Sequence, residues 1–508
     1  MRVLVLLSLL CINEVAGDST TVRTRIKSVS DRSWEWKLKH ALAKLKPYTD
    51  VKSLRENAEQ LAALDAKVKA DLKLSDAELA DVKRRLKLVK RKNVEFLQKG
   101  GDTIDEINDK AGVEEALYQG DIVLTRVQTK EIVNDIKGGN RTKRLAYRDN
   151  YYPKTLWPNG EVLYYLDPRL SANARRVFRK GAERWEQSTC LRFIEKNSDQ
   201  GAIHVHHGTG CWSHVGRVIN PRQKQQLSLG KRCDRIGIAA HELGHAIGLF
   251  HTHSRQDRDA YLTVLPQNIL NGQIDNFAKQ KHDMSEEYGL PFDYGSLMNY
   301  GVTGFSRGHK LITLLPRQPL HTQTMGSHFI SFTDFLTVNA HYGCNDKCKN
   351  AANAAKCKNY GYPHPRDCTK CVCPQLYGGR LCDERPKGCG EVLYAGSRAK
   401  SFTAVVGNPR DSKTIRDEYD ICVYWIKAPP GKKVTVQLSR FDIGGIAIDG
   451  CIYGGVEIKA QKDQRLTGYR FCSLKDSGTS VQSHMELLPI MVYSRYFVTR
   501  ATFRYTAS

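Results

Sequence analysis

The chain has 508 residues and a formal net charge of +24, from 78 Lys and Arg against 54 Asp and Glu. This length is too great for one domain and suffices for three or four. The positive charge suits an anionic partner or surface. However, the basic residues are spread over long polar faces without a stacking motif, which argues against a nucleic-acid-binding protein.

Residues 1–17, MRVLVLLSLLCINEVAG, combine an early basic residue, an apolar run and two small residues at the end. This pattern predicts a secretory signal peptide cut near Gly17. No later apolar stretch is long enough for a membrane span, so we expect a secreted, extracellular protein. Of the 15 cysteines, Cys11 leaves with the signal and an even number remains. In an exported chain this favours a disulfide framework over zinc knuckles.

Residues 18–144 contain no cysteine and are rich in Lys, Leu, Ala, Asp and Glu. Apolar residues recur there at a spacing of three to four, which predicts helices; they are Leu54, Ala58, Leu61, Leu64 and Val68. We interpret this region as a solvated helical hairpin or short coiled coil rather than as a binding helix.

The same region ends in the basic tetrad RTKR, whose last residue is Arg144. An exposed basic loop of an exported chain suits a processing protease of the secretory pathway; the alternative is a solvated charge run. Cleavage after Arg144 would make 18–144 a propeptide and Leu145 the first mature residue. The sequence NRT is also a glycosylation sequon, which predicts a glycan on Asn140.

Beyond Leu145 the sequence is typical of a globular domain. GEVLYYLD, CLRFIE and GAIHVHHG predict strands, and SANARRVFRKGAERWEQS predicts an amphipathic helix capped by Ser171. Alternation places His204 and His206 on one face of the GAIHVHHG strand. No acidic or cysteine partner is near them in the sequence, so we interpret them as rim residues rather than as a second metal site.

HELGHAIGLFH runs from His241 to His251. His241 and His245 are four residues apart, so on a helix they lie one turn apart on one face and can share one ion. Gly248 can adopt a positive φ, which would let His251 return to the same point. Three neutral histidines leave one coordination position open, as in catalytic zinc sites. Glu242 can then act as general base towards a zinc-bound water; the alternative is a histidine-rich core helix.

The spacing H-E-x-x-H-x-x-G-x-x-H is that of the metzincin superfamily, which requires a methionine turn downstream; DYGSLMNYG supplies Met298. HELGHAIGLFHTHSRQDRD and SLMNY resemble the astacin family of zinc metalloendopeptidases. The resemblance implies an α+β metzincin catalytic domain that holds one Zn²⁺. It also implies that Tyr300 is a zinc ligand in the resting enzyme and swings away to hydrogen-bond the oxyanion during catalysis.

LYQGD resembles the F-x-G-D element of astacin propeptides, whose aspartate occupies the open zinc position in the latent precursor. By this match Asp121 is a metal ligand in the latent form only, and Tyr118 stands where phenylalanine is usual. A carboxylate at that position would keep the precursor silent until it is cut after Arg144. The alternative for Asp121 is a turn residue after Gly120.

The downstream region resembles two further modules. The cysteine spacing of 345–388 resembles an EGF-like module, and 389–508 resemble a CUB domain, an all-β sandwich. The implied organisation is 1–17 signal peptide, 18–144 helical propeptide, 145–344 astacin-like peptidase domain, 345–388 EGF-like and 389–508 CUB. The implied disulfides are Cys190–Cys344, Cys211–Cys233, Cys348–Cys368, Cys357–Cys371, Cys373–Cys382, Cys389–Cys422 and Cys451–Cys472. The strand at GCWSHVG would be the edge to which an extended substrate adds.

Three positions depart from the astacin pattern. Thr252 stands where a glutamate usually binds the new N-terminus, so we expect a water-mediated or looser anchor. MGSHF stands where GQR is usual; basic residues there often shape the pocket just after the scissile bond, so the usual preference for acidic side chains does not carry over directly. Asn299 replaces a common histidine, and we expect it to be tolerated.

The sequence thus predicts a secreted zinc endopeptidase, made as a zymogen, that cuts extracellular proteins of a matrix, cuticle, eggshell or diet. A competing hypothesis is a binding protein whose CUB and EGF-like modules carry the function beside a weak or inactive peptidase domain. A growth-factor-like ligand that uses the EGF-like module is a third. The presence of every zinc ligand and of the general base favours the enzyme.

Overall fold

The computed structural model describes residues 33–89, 97–138, 146–147, 152–219, 224–280, 285–410, 414–443 and 446–508. The predicted signal peptide, the predicted glycan on Asn140 and the predicted cleavage site at Arg144 lie outside the described residues. Within the described ranges, no helix is long and apolar enough to cross a membrane.

In its described residues, 33–89 and 97–138, the N-terminal segment consists of short helices and one short strand. Polar caps start several helices: the Asp50 carboxylate accepts from two backbone amides of α2, and Ser75 and Thr125 form capping boxes at α4 and α6. The elements are α1 (33–45), α2 (Val51–Ala62), α3 (Asp65–Asp71), α4 (Asp76–Leu86), α5 (Ile104–Ala111), β1 (Ile122–Val123) and α6 (Arg126–Lys137).

The interpretation of this segment as a solvated hairpin is wrong. Leu61, Leu64 and Val68 are buried, and they share one apolar cluster with Leu262 and Phe277 of the following domain. The helices therefore use their apolar stripe to cover another unit, since burying that stripe stabilises each helix more than intrinsic propensity does.

The central unit, residues 146–344, is called the catalytic unit here after the role expected from its sequence. It is built around a mostly parallel sheet with strand order β1-β6-β7-β5-β3-β4. Strand β3 alternates between buried and half-buried residues, as predicted for GEVLYYLD. The helix over SANARRVFRKGAERWEQS is capped by Ser171, whose Oγ accepts from Ala174 N at 3.0 Å. The elements are β2 (Ala146–Tyr147), β3 (Glu161–Leu166), α7 (Ala172–Glu186), β4 (Arg192–Glu195), β5 (Ile203–His206), β6 (Cys211–His214), β7 (Gln225–Leu229), α8 (Ile236–Ala246), β8 (Leu262–Val264), β9 (Ser285–Glu286), β10 (Leu314–Pro316) and α9 (Phe332–His341).

The placement of both β5 histidines on the rim is wrong for His206. His206 is fully buried, and its ring stacks on Tyr48 of the N-terminal segment with ring centroids 4.0 Å apart. His204 is half-buried, and its Nε2 lies 3.2 Å from Asp167 Oδ2. The sequence could not reveal either partner, because Tyr48 and Asp167 lie far from the histidines in the chain.

The remaining chain forms a small disulfide-rich unit and a C-terminal sandwich, residues 389–508. The sandwich has two sheets, β13-β15-β20-β17-β18 and β14-β21-β16-β19, around a core that includes Trp425, Leu438 and Phe503. The elements are α10 (Asp346–Lys349), β11 (Tyr362–His364), β12 (Asp367–Val372), β13 (Val392–Tyr394), β14 (Lys400–Gly407), β15 (Ile415–Lys427), β16 (Val434–Asp442), β17 (Gly454–Ile458), β18 (Tyr469–Phe471), β19 (Thr479–Gln482), β20 (Leu487–Tyr496) and β21 (Val498–Ala507).

Each of the disulfides lies within one unit. One bridge joins the start of β4 to the end of α9, which closes the catalytic unit, and one joins β6 to the loop before α8. The others lie in the disulfide-rich unit and the sandwich. The pairs are Cys190–Cys344, Cys211–Cys233, Cys348–Cys368, Cys357–Cys371, Cys373–Cys382, Cys389–Cys422 and Cys451–Cys472.

Candidate metal centre

The centre is built on the buried helix α8 and the turn that follows it. His241 and His245 lie one turn apart on this helix. Gly248 has φ +105°, a left-handed conformation that glycine adopts without strain. The chain therefore reverses directly after the helix and brings His251 to the same point, where its ring centroid lies 4.8 Å from that of His245.

Hydrogen bonds fix the orientation of all three imidazoles. The Nδ1 atoms of His241 and His245 donate to the carbonyl oxygens of Leu297 and Leu249, at 2.9 and 2.8 Å. His251 Nδ1 donates to the side-chain oxygen of Gln119, at 2.9 Å. Because these oxygens can only accept, each Nδ1 carries the proton and each Nε2 presents its lone pair to the centre.

Asp121 of the N-terminal segment completes the set. Its carboxylate oxygens lie 3.1 Å from His241 Nε2, 3.5 Å from His245 Nε2 and 3.3 Å from His251 Nε2, and the four ligand atoms lie within 4.8 Å of one another. Lone pairs of neutral imidazoles that face a carboxylate repel it unless a cation lies between them. Three imidazoles and one carboxylate around one point are a donor set that fits zinc.

Glu242 is the buried carboxylate next to this centre. Among the described residues, neither of its carboxylate oxygens has a hydrogen-bond partner. Burial raises the pKa of Glu242 well above its ordinary value, and the negative charge of Asp121 raises it further. A bound cation would oppose both effects. The carboxylate is thus able to accept a proton from a water molecule at the metal and to hold it.

Comparison with known proteins gives the family. The model of the peptidase family Astacin matches residues 149–343. Zinc metalloproteinase nas-31 of Caenorhabditis elegans is 42% identical over 80% of this chain, which spans 66% of that protein. Zinc metalloproteinase nas-29 of the same organism is 35% identical over 80% of this chain and 78% of its own length. The chain belongs to the astacin family of zinc metalloendopeptidases.

A solved structure is also similar to part of the chain. High choriolytic enzyme 1, a hatching enzyme zinc-protease from Oryzias latipes (Medaka fish), is 27% identical. It covers 39% of this chain and 98% of its own, with a TM-score of 0.35.

Tyr300 is held by the N-terminal segment in this astacin. Its ring stacks on His253, with ring centroids 3.9 Å apart, and its hydroxyl donates to the backbone carbonyl of Gln119. Burial raises the pKa of the Tyr300 hydroxyl well above its ordinary value, and Asp121 adds to this effect, so the phenol remains a donor. The structure therefore places Tyr300 beside the histidines, with its hydroxyl directed to the segment.

Gln119 is a site residue that sequence reasoning missed. Its side-chain oxygen accepts from His251 and its backbone oxygen accepts from Tyr300, while φ of +47° turns the backbone so that both contacts form. The one sequence signal is its position inside LYQGD, directly before the Gly120–Asp121 pair. That signal is weak, because the middle position of the element carries no expected residue type.

The N-terminal segment also covers the substrate edge. β1 pairs in parallel with β6, with Ile122 opposite Ser213, and Ser213 N donates to Asp121 O at 3.0 Å. Asn108 joins the chain just before β1 to the start of β6, because its Nδ2 donates to Gly120 O at 2.8 Å and to Cys211 O at 2.7 Å. The edge expected to bind substrate is thus occupied by the same stretch that supplies the carboxylate.

The methionine turn packs next to the centre and contacts the residue that follows His251. Met298 is buried, and its carbonyl accepts from Thr252 N at 2.8 Å. The Thr252 hydroxyl lies 2.8 Å from Ser296 Oγ, which in turn donates to Asp334 Oδ1 at 2.6 Å. Burial raises the pKa of Asp334 to about 6. Asn299, beside the turn, donates to Tyr294 O at 3.1 Å.

Proposed function

We propose that the chain is the latent precursor of a secreted zinc metalloendopeptidase that hydrolyses internal peptide bonds of extracellular proteins. The observation that carries the proposal is the contact of one carboxylate, Asp121, with three oriented imidazoles. The Asp121 carboxylate occupies the coordination position that the three histidines leave open, so it blocks the place where substrate and water would react. The curated relatives, named zinc metalloproteinases, support the same activity.

In the processed enzyme, His241, His245 and His251 would hold zinc, which supplies a Lewis acid that acidifies a water molecule and polarises the substrate carbonyl. Glu242 accepts the proton of the attacking water and returns it to the leaving amine. Tyr300 donates a hydrogen bond to the oxyanion, once its hydroxyl is released from Gln119. The edge of β6 binds the extended substrate through its backbone groups.

The proposed organisation is a signal peptide (1–17), a propeptide (18–144), the peptidase domain (145–344), an EGF-like module (345–388) and a CUB domain (389–508). Secretion is supported by the disulfide framework, because disulfides persist in oxidising compartments. A processing protease that cuts after Arg144 would release the propeptide. Substrates would be proteins of a matrix, cuticle, eggshell or diet. A binding role for the last two modules beside an inactive peptidase is the alternative, and the intact donor set disfavours it.

The test compares the precursor before and after cleavage at Arg144, on a denatured protein substrate. We expect no hydrolysis by the uncut wild type, and hydrolysis after cleavage that a zinc chelator abolishes. The processed Glu242→Ala variant should be inactive with its zinc retained. Uncut Asp121→Ala should hydrolyse the substrate more than uncut wild type but less than the processed enzyme, because β1 still occupies the edge of β6. Uncut Asp76→Ala, changed at an exposed position of α4, should stay silent. Equal, chelator-insensitive results for all forms would favour the binding protein.

A further inference from the structure

The loop of residues 97–102, just before α5, lies between the catalytic unit and the C-terminal sandwich. On one side, Arg235 Nη1 of the catalytic unit donates to Asp102 O at 3.1 Å. On the other side, the Tyr453 hydroxyl of the sandwich donates to Oδ1 of the Asp102 carboxylate. Asp102 and Tyr453 are both buried. The loop is therefore held by two groups that lie 133 and 351 residues further along the chain.

The carboxylate of Asp102 also fixes the shape of the loop. Its Oδ2 accepts from the backbone amides of Leu97 and Gln98, at 2.9 and 3.2 Å. Gly101 has φ +102°, and a Cβ atom there would lie only 2.8 Å from Ile107 N, so the turn requires glycine. One carboxylate oxygen thus orders the loop, and the other binds the sandwich.

Leu97 adds an apolar contact with the sandwich. Its half-buried side chain packs against a cluster that contains Ile448, Ile452 and Tyr453, all three of them buried. These three residues, which lie between β16 and β17, are called the loop-binding surface below. Burial raises the pKa of the Tyr453 hydroxyl, so the phenol stays protonated and donates to Asp102. The surface therefore offers the loop an apolar contact and a charge-assisted hydrogen bond.

The loop-binding surface is fixed to the catalytic unit. Asp449, directly after Ile448, accepts from the backbone amide and the hydroxyl of Thr303, at 2.9 and 2.8 Å. Elsewhere on the sandwich, Thr467 Oγ1 donates to Asp293 Oδ2 at 3.1 Å. Asp293 and Thr303 lie before and after the methionine turn, and both are buried. The sandwich is thus hydrogen-bonded to the catalytic unit close to the metal centre.

The loop is also connected to the stretch that blocks the metal centre. Glu106 of α5 accepts from the backbone amides of Asp102 and Thr103, at 2.8 and 3.3 Å. Asn108 of the same helix donates to the backbone carbonyl that directly precedes Asp121. The loop, which binds the sandwich, is therefore linked through one short helix to the carboxylate at the histidines.

We propose that the C-terminal sandwich is a binding partner of the N-terminal segment and retains this segment on the peptidase after the chain is cut at Arg144. The cut lies outside the loop, so it leaves the contacts of Leu97 and Asp102 with the loop-binding surface in place. Activation then takes two steps, cleavage and dissociation of the cut segment. The inference rests on the proposed function, in which residues 18–144 are a propeptide, and it gives the sandwich a role in the regulation of that site.

The experiment uses the full chain, cut after Arg144 and immobilised through its C-terminus, and measures how fast the cut segment washes off without substrate. Tyr453→Phe removes one hydrogen bond to a carboxylate and should speed dissociation about tenfold. Tyr394→Phe, the same change at an exposed position of the sandwich, should leave the rate unchanged. In an Asp102→Ala chain, Tyr453→Phe should add no further effect, because its partner is already absent.

A change on the segment covers the case in which Tyr453→Phe does not fold. Leu97→Ala leaves the peptidase and the sandwich unaltered and should speed dissociation about fivefold, as expected for a half-buried side chain. Leu88→Ala, at an exposed position of the same segment, should leave the rate unchanged. An unchanged rate for Leu97→Ala or for folded Tyr453→Phe would overturn the inference. So would a full additional effect of Tyr453→Phe in the Asp102→Ala chain.

These outcomes are distinguishable from failure of the proposed function, because dissociation of the segment is measured without hydrolysis. A cut chain that loses its segment at the expected rates but does not hydrolyse a denatured protein would count against the peptidase and leave the inference standing. A cut chain that hydrolyses the protein, with equal dissociation rates for all variants, would overturn the inference alone.

Discussion

The metal centre is held together by residues close in sequence, whereas the N-terminal segment is held by residues far away. The three histidines lie within ten positions, and His245 donates to a carbonyl four residues later. By contrast, Asn108 binds backbone atoms of Cys211, and Arg85 of α4 donates to the carbonyl oxygens of Leu315 and Pro316. The centre can therefore persist when the segment leaves, but the segment loses its buried partners.

The hydrogen bond between His251 and Gln119 is an exception, because it joins a histidine of the metal centre to the N-terminal segment. The Nδ1 atoms of His241 and His245 donate to carbonyls of the catalytic unit, but the acceptor for His251 is Gln119 of the segment. Removal of the segment thus changes the surroundings of one zinc ligand and, through the Gln119 carbonyl, those of Tyr300. Latency and metal binding are therefore coupled at Gln119, in addition to the carboxylate of Asp121.

The largest expected effect tests the metal centre, which is formed by residues close together in the sequence. His245→Ala should remove bound zinc and reduce hydrolysis by about 10⁴-fold or more, because one of three imidazole ligands is lost. Zinc content measured on the purified processed protein, together with peptide hydrolysis, checks this. His204→Ala serves as the control, since His204 lies outside the centre, and it should keep one zinc. A His245→Ala protein with full zinc content would show that the centre is elsewhere.

The next prediction tests the N-terminal segment, which is held by residues far away in the sequence. Leu61→Ala removes a buried side chain from the apolar cluster between segment and catalytic unit, and should lower the free energy of unfolding of the segment by about 2–4 kcal/mol. The matched change Leu79→Ala, at an exposed position of α4, should cost less than about 0.5 kcal/mol. Limited proteolysis of the uncut precursor measures both. Equal resistance of the two variants to proteolysis would support the interpretation of the segment as a solvated hairpin.

The same division explains what could be predicted from the sequence. Spacing within eleven residues predicted that His241, His245 and His251 share one face and one turn, and alternation predicted β3. The burial of Leu61 and of His206 was missed, because each depends on a surface that folds from residues far along the chain. Gln119 was missed for a related reason: its role depends on a positive φ and on His251, and residue type alone shows neither.

A smaller effect is expected at Gln119. Gln119→Ala removes the acceptor for His251 but keeps the backbone carbonyl that binds Tyr300. Loss of such an outer hydrogen bond typically weakens metal binding about tenfold or more, so the uncut variant should lose zinc to a competing chelator more readily than uncut wild type. After cleavage and release of the segment, the two proteins are identical in the peptidase and should bind zinc equally. A difference that persists in the processed forms would place the effect outside the segment.

The smallest expected effect concerns pH and the contact between α5 and the catalytic unit. His309 Nε2 lies 3.0 Å from Asp109 Oδ2, and Asp105 and Glu106 are also near. Burial lowers the pKa of His309, but the hydrogen bond to Asp109 and the two other carboxylates outweigh it, so the pKa lies above 6.5. Burial, and then Asp105, raise the pKa of Glu106 to about 7. Asp109 has a lowered pKa, which affects docking only in more acidic solution.

A group whose pKa is raised by docking stabilises the docked state fully below its undocked pKa and loses that contribution as pH rises through the docked value. His309 and Glu106 both act in this direction, so the cut segment should dissociate more readily at pH 8 than at pH 6. Co-elution of the cut segment with the peptidase measures this without relying on hydrolysis, which has its own pH dependence. His309→Gln should flatten the profile in part, because one of the groups that titrate on docking is lost while Glu106 and Asp105 remain. An identical profile would mean that His309 keeps its charge state on docking.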